Sequence, residues 1–385
     1  VIPRICRSFT ALRHQSEPKN KGTNGKEDKV KEPVDHPQGR KPFGFEKQNI
    51  KGRGAHMKLI KTLCASALLA TATLTMPAPT MADEIDIKYH AFTGVGPSNL
   101  ATRWFMDEVE KRTEGQVTFT RIFGGALGKL SGQPENIKVG AFDMGDFSPV
   151  YNPGLFPLAN VTSLPFMTDN PMAHAQAGHE LFQTPEVEAE FTAMNLKYLY
   201  PGQWGSIQLL SHDPIRTIDD LKAAKVRAHG GAAEILKELG ITVYGIPWGE
   251  LPAAAERKVV TAAIIGAPAD AYAFGFGEIF NYWDDVDWFY FPLPVAMNLD
   301  TWNGLPDDVK AVINEVRDEA VAQARNLLED AEVEADAALN ELTEVVKFDD
   351  AEWDKMMGVR DSAWQGWGDA READGLQGQV VLENF

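Results

Sequence analysis

Ile85-Asp86-Ile87-Lys88-Tyr89-His90-Ala91-Phe92, followed by Gly94-Val95-Gly96-Pro97-Ser98 and then by Asn99 to Arg112, opens the folded part of the chain and decides its class. The first eight residues alternate in the manner of a half-buried strand. The glycines and the proline turn the chain, and Leu100, Trp104, Phe105 and Val109 then recur at helical spacing, with Ser98 expected as the N-cap. A second strand is expected over Val117 to Phe123, a loop over Gly124-Gly125-Ala126-Leu127-Gly128, a helix over Gln133 to Val139 and a short strand over Phe142 to Phe147. Such alternation predicts an α/β fold of parallel strands and helices. Ligands in open α/β sheets sit beyond the carboxyl ends of the strands. Phe92, Phe147, Ser148 and Tyr151 are therefore expected in a cleft.

Working downstream, the composition shifts after Tyr198-Leu199-Tyr200-Pro201-Gly202 to a second unit from about Trp204 to Tyr290, with strands expected at Thr242 to Ile246 and Val259 to Ile265. Within it, Val226-Arg227-Ala228-His229-Gly230-Gly231 puts one arginine on a strand that runs into a glycine pair and a helix, Ala232 to Leu239. A planar guanidinium fork matches a carboxylate with two parallel charge-assisted bonds. Arg227 is thus placed to hold an anion. From Pro306 to about Val346 the apolar positions Val309, Val312, Ile313, Val316, Ala320 and Ala324 describe one long docked helix or two joined ones.

Working upstream, residues 1–56 are rich in Lys, Arg, Gly, Pro and Gln and lack periodic apolar residues. They read as a non-native or disordered extension. Met57-Lys58-Leu59-Ile60-Lys61, the apolar run Leu63 to Leu74 and Thr80-Met81-Ala82 have the charged start, apolar middle and small-residue exit of a secretory signal, so residues 57–82 are expected to be cleaved off after Ala82. Both cysteines, Cys6 and Cys64, precede that point, so no disulfide is expected in the mature chain. The remaining residues carry 22 Lys and Arg against 49 Asp and Glu, a net charge of −27. Nucleic acid and anionic lipid are poor partners for such a surface, and no direct membrane insertion is expected.

Other motifs carry less. His174 and His179 are five apart, with Glu180 after the second, which is not the zinc-protease spacing; a surface helix is expected there, and no metal or cofactor. His229 reads as a solvated loop histidine. Gly94 to Asn99 lacks the third glycine of a dinucleotide fingerprint. No Gly-x-Ser-x-Gly elbow or cysteine nucleophile supports an exported enzyme.

Several stretches taken together resemble a known family. Gly125 to Gly128 ahead of a helix, Gly140-Ala141-Phe142-Asp143-Met144, Leu164-Pro165-Phe166-Met167, the run from Asp219 to Arg227, Ile246-Pro247-Trp248-Gly249-Glu250 and Trp302-Asn303-Gly304-Leu305-Pro306 before a long helix occur in order. In that order they resemble the periplasmic solute-binding subunit of tripartite ATP-independent periplasmic (TRAP) transporters, DctP type. The resemblance implies a two-lobed periplasmic binding protein, type II-like, with a long helix bridging the lobes. Lobe I would span 83–204 with part of 291–335, and lobe II 205–290 with part of 336–385. It implies capture of a small organic acid and delivery to the small and large integral membrane components of the transporter. The family's ligand arginine falls on Arg227, and Trp248 and Trp204 could wall the ligand.

Two departures accompany the resemblance. Ser206 stands where many relatives carry a second polar group, often arginine or glutamine. Val260 to Phe276 looks like the branch that takes 2-oxo acids and brings Gly266 and Asp270 into the expected substrate set, but Ile264 and Ile265 replace its acidic residue and tryptophan, so no bound cation is expected. The rival readings are a binding protein of the same fold for a non-acid solute and an exported enzyme.

Overall fold

A computed structural model describes residues 84–385, apart from residues 267 and 285 and the side chains of 203 and 204. The expected extension, signal peptide and cysteines lie outside the described residues. The alternating opening forms β1 (Ile85–His90), and the helical stripe after it forms α1 (Leu100–Arg112), which buries Ala101, Phe105, Met106 and Val109. β2 (Val117–Ile122) and β3 (Met144–Asp146) flank β1 in parallel. Between them lies α2 (Gln133–Lys138), and α3 (Pro171–Leu181) and α4 (Pro185–Ala193) follow. Pro97–Asn99 forms a 3-10 turn entered from Gly96, and α1 starts after Asn99, so Ser98 does not cap it.

The sheet is mixed rather than parallel. β4 (Leu196–Ser211) and β9 (Phe289–Asn298) pair antiparallel, and β9 also runs antiparallel to β3. The last four residues of β4 instead pair antiparallel with β7 (Ala262–Ile265), which stands parallel to β5 (Val226–Arg227); β6 (Val243–Tyr244) flanks β5. β8 (Tyr282–Asp284) joins β4 to β10 (Glu344–Val346). The path β2-β1-β3-β9-β4-β7-β5-β6 thus builds a first lobe around β1 to β3 and a second around β5 to β7, with β4 crossing between them.

At the crossing, Gly202 and Gln203 both face Leu293, a bulge that bends β4. Gly202 has φ +59°, and a Cβ there would collide with the Leu293 carbonyl oxygen, so only glycine fits without backbone movement. The second lobe is completed by α5 (Ile218–Ala223), α6 (Gly230–Glu238), α7 (Leu251–Glu256), α8 (Pro268–Ala273) and α9 (Phe276–Ile279).

After α10 (Leu299–Gly304), the long tail helix is one unbroken element, α11 (Asp307–Leu342), about 54 Å at 1.5 Å per residue. Its stripe Val309, Ile313, Val316 and Ala320 packs in the core of β1, α1 and β9, whereas Leu339 packs with Phe276 and Phe280 of the second lobe. It therefore bridges the lobes. α12 (Asp350–Ala373) also divides: Met356 and Ala363 join the core of β5 and α6, and Trp367 joins that of Phe147 and Phe191 together with Val381 of α13 (Gly378–Asn384). Among the described residues no helix is long and apolar enough to cross a membrane.

Candidate functional site

Between the lobes lies a cleft with about 610 Å³ of space not filled by atoms. Its first-lobe wall includes Phe92, Ser98, Leu130 and Tyr151; its second-lobe wall includes Arg227, His229, Trp248, Gly266 and Asp270. The shared strands supply the base: Gly205 and Ile207 from β4, and Phe289, Phe291 and Leu293 from β9. The spacing of two along both strands follows from the alternation of side chains across a sheet.

Arg227 ends β5 and is 4% exposed. Its Nε donates to the Ile246 carbonyl at 3.1 Å, Nη1 to the Ile264 carbonyl at 2.9 Å and Nη2 to the Tyr151 hydroxyl at 3.0 Å. A guanidinium has five N–H groups. One on each terminal nitrogen therefore has no partner among the described residues, which also offer Arg227 no ion pair. Burial pulls its pKa down and the bond to Tyr151 opposes this. The two backbone carbonyls fix the plane of the fork before any ligand arrives.

His229 is not a solvated loop residue. It lines the cleft, packs tilted against Tyr151 at 4.8 Å between ring centroids and donates from Nε2 to the Ile246 carbonyl at 3.1 Å. Burial first, and then the charge of Arg227, lower its pKa to about 4, so it is neutral at pH 7. Across the cleft, Ser98 Oγ donates to Asp270 Oδ1 at 2.8 Å, and at the rim Lys129 Nζ meets Glu250 Oε1 at 3.2 Å. With Tyr151 to Arg227, these polar contacts join the lobes in a closed arrangement.

Of the residues expected from sequence, Phe92, Tyr151, Arg227, Trp248, Gly266 and Asp270 converge on this cleft. Trp248 does double duty, lining the cleft while packing edge-on against Phe274 and Phe276. Phe147 and Ser148 do not reach it. Phe147 donates its backbone N–H to Pro294, continuing along β9, and its ring packs between Phe156 and Phe191; Ser148 is fully buried beside it. The 3-10 turn Pro149–Tyr151 then carries the chain into the cleft, so Tyr151 is the aromatic that arrives. Ser206 is excluded by parity, since its neighbours Gly205 and Ile207 face the cleft; the side chain of Trp204 is among those not described.

The sequence reading missed His229, Ser98 and the aromatic face of β9. The every-second-residue pattern Phe289, Phe291, Leu293 was the available signal for the last. His174 and His179 are buried rather than on a surface helix: His174 lies against Tyr290 at 4.8 Å, and His179 Nδ1 is 2.8 Å from the Tyr198 hydroxyl. Among the described residues no group of three His, Cys, Asp or Glu is arranged to hold a metal ion.

Comparison with known proteins gives this cleft its context. A curated relative, the monocarboxylate 2-oxoacid-binding periplasmic protein of a Nostoc species, is 26% identical over 268 residues, which is 66% of this chain and 72% of the relative. A TRAP periplasmic solute-binding protein from Desulfovibrio salexigens, crystallised as an open complex, superposes with a TM-score of 0.67 at 27% identity, covering 78% of this chain and 94% of that one. A marine metagenome TRAP solute-binding protein specific for aromatic acid ligands superposes with a TM-score of 0.72 at 20% identity over 78% and 97%. The family described as bacterial extracellular solute-binding protein, family 7, the DctP family, matches residues 95–368. With that match over most of its length, the chain belongs to this family, the solute-binding subunits of TRAP transporters, and not to the exported enzymes.

Proposed function

We propose that this protein captures a small organic acid in the periplasm, a monocarboxylate with an oxo- or hydroxy-substituted, aromatic or apolar body, and presents it to the membrane components of a TRAP transporter. The observation that carries this reading is Arg227: a buried guanidinium, held by three bonds, with one N–H left on each terminal nitrogen beside an apolar cleft. A carboxylate would take both in parallel. An empty closed cleft leaves the two remaining N–H groups of Arg227 without an acceptor, which couples solute to closure.

A dissociation constant near 1 μM corresponds to about −8 kcal/mol, more than one ion pair supplies. Phe92, Trp248, Phe289 and Phe291 offer the apolar area for the rest. Supporting the acid reading further, the Nostoc relative is named for monocarboxylate 2-oxoacids and the metagenome protein for aromatic acids. Export would follow from the signal at 57–82.

Thermal-shift screening against 2-oxo, 2-hydroxy and aromatic monocarboxylates should raise the melting temperature for at least one of them. Arg227→Gln, which keeps side-chain donors, should erase that shift. A non-acid solute that raises the melting temperature equally in wild type and Arg227→Gln would overturn the proposal.

A further inference from the structure

The cleft also holds a buried carboxyl group, which when ionised is opposite in sign to Arg227. Asp270, 6% exposed, lies on α8 just past the end of β7, and Arg227 is bonded to the same strand at Ile264. Its Oδ1 receives the hydroxyl of Ser98 from the other lobe. Its Oδ2 lies toward Gly266 and Trp248: a Cβ built on Gly266 would be 3.6 Å from Oδ2 and 3.6 Å from Trp248 Cη2. One end of the cleft is thus bounded by a carboxylate, a bare backbone and an indole edge. His229 is neutral there, so Arg227 is the single cation among the described lining residues.

We infer that Asp270 sets the charge limit of the site, admitting a methyl, carbonyl or hydroxyl group at the Gly266–Trp248 end and rejecting a second carboxylate. This rests on the reading of Arg227 as the carboxylate receptor. A monoanion on Arg227 has its charge matched. The second carboxylate of a dianion would have to lose its water beside another buried carboxylate with no cation to meet it, and like charges in a dehydrated cleft repel strongly. Discrimination here therefore comes from a repulsive element as well as an attractive one.

The test is calorimetric titration with acid pairs that differ only by methyl against carboxylate: 2-oxopentanoate with 2-oxoglutarate, and 4-methylbenzoate with terephthalate. Wild type should bind the monoacid of at least one pair on the order of a hundredfold more tightly than its diacid. Asp270→Asn should shrink that ratio at least tenfold, chiefly by admitting the diacid, and Asp270→Ser serves if the asparagine variant does not fold. Ser98→Ala keeps the carboxylate and removes only the bond across the cleft, so it should weaken both acids alike and leave the ratio. An unchanged ratio in the Asp270 variants, with binding still lost in Arg227→Gln, overturns this inference alone. Binding that survives in Arg227→Gln overturns the receptor reading, whatever the ratio does. A wild type that takes neither member of either pair overturns this inference and leaves the receptor reading to the thermal-shift screen.

Discussion

Arg227 Nη2, in the second lobe, donates to the Tyr151 hydroxyl, in the first, at 3.0 Å, so the residue that would receive a carboxylate is also tied across the cleft. Tyr151→Phe keeps the ring and its packing against His229 but removes the acceptor. A hydrogen bond to a charged group is worth about 1.5–3 kcal/mol. The closed state should lose roughly that much relative to the open one, weakening solute binding about tenfold or more. Calorimetry on the monocarboxylate found by screening is the check, and an unaltered dissociation constant would mean that the loaded cleft does not use this contact.

Gly202 sits in the bulge where β4 passes between the lobes, at φ +59° and against the Leu293 carbonyl. Gly202→Ala introduces a clash with backbone, not with a side chain that could swing away, and adds the cost of a left-handed conformation of about 1 kcal/mol. It should lower the melting temperature by several degrees and disturb closure at the same time. Gly249→Ala, where a Cβ meets nothing within 4 Å, is the matched control and should leave stability nearly unchanged.

Stability should carry a histidine signature below neutrality. The pKa of His229 is lowered to about 4 and that of His174 to about 3, both mainly by burial, against about 6.5 unfolded. Between these values the unfolded chain binds more protons than the folded one, so the contribution of each group is complete above about pH 6.5 and is lost as pH falls toward its folded pKa. The carboxyls of Asp146 and Glu332, raised to about 7 chiefly by burial, act in the opposite sense: their contribution is complete below the unfolded carboxyl range and is lost as pH rises through 7. The clean readout is therefore a difference. Relative to His229→Gln, wild type should lose stability steadily from pH 6.5 to pH 4; parallel melting curves for the two proteins over that range would contradict the assignment.

What could be read in advance follows from periodicity. β1, α1 and the helical stripe of α11 were legible because each has one buried face, which leaves a period of two or of 3.6 in the sequence, though that stripe left open whether α11 is one helix or two. β9 was not legible: it is buried along nearly all of its length, so the alternation of Phe289, Phe291 and Leu293 has no polar face to set it off, and the antiparallel crossing it makes with β4 stayed hidden behind an expectation of parallel strands. The site divides similarly. Arg227 stood out by residue type and by the glycine pair after it. Whether Phe147 or Tyr151 enters the cleft was decided by a three-residue 3-10 turn, which no period announces.

Gly266 offers a test of how closely the cleft is fitted to its cargo. A methyl group there would lie 3.4 Å from Asp270 Cβ and 3.6 Å from both Asp270 Oδ2 and Trp248 Cη2, all ordinary contact distances, so Gly266→Ala should fold normally. Its backbone is outside the left-handed region, and replacing glycine at a compatible position tends to stabilise by about 0.4–1 kcal/mol through the unfolded chain. The added methyl takes its space from the solute. Affinity for 2-oxopentanoate should fall several-fold more than affinity for pyruvate, which places less bulk beyond the carboxylate, while the melting temperature without solute stays level or rises. If both acids weaken equally, the solute does not extend to this end of the cleft, and the apolar body of the cargo lies along β9 instead.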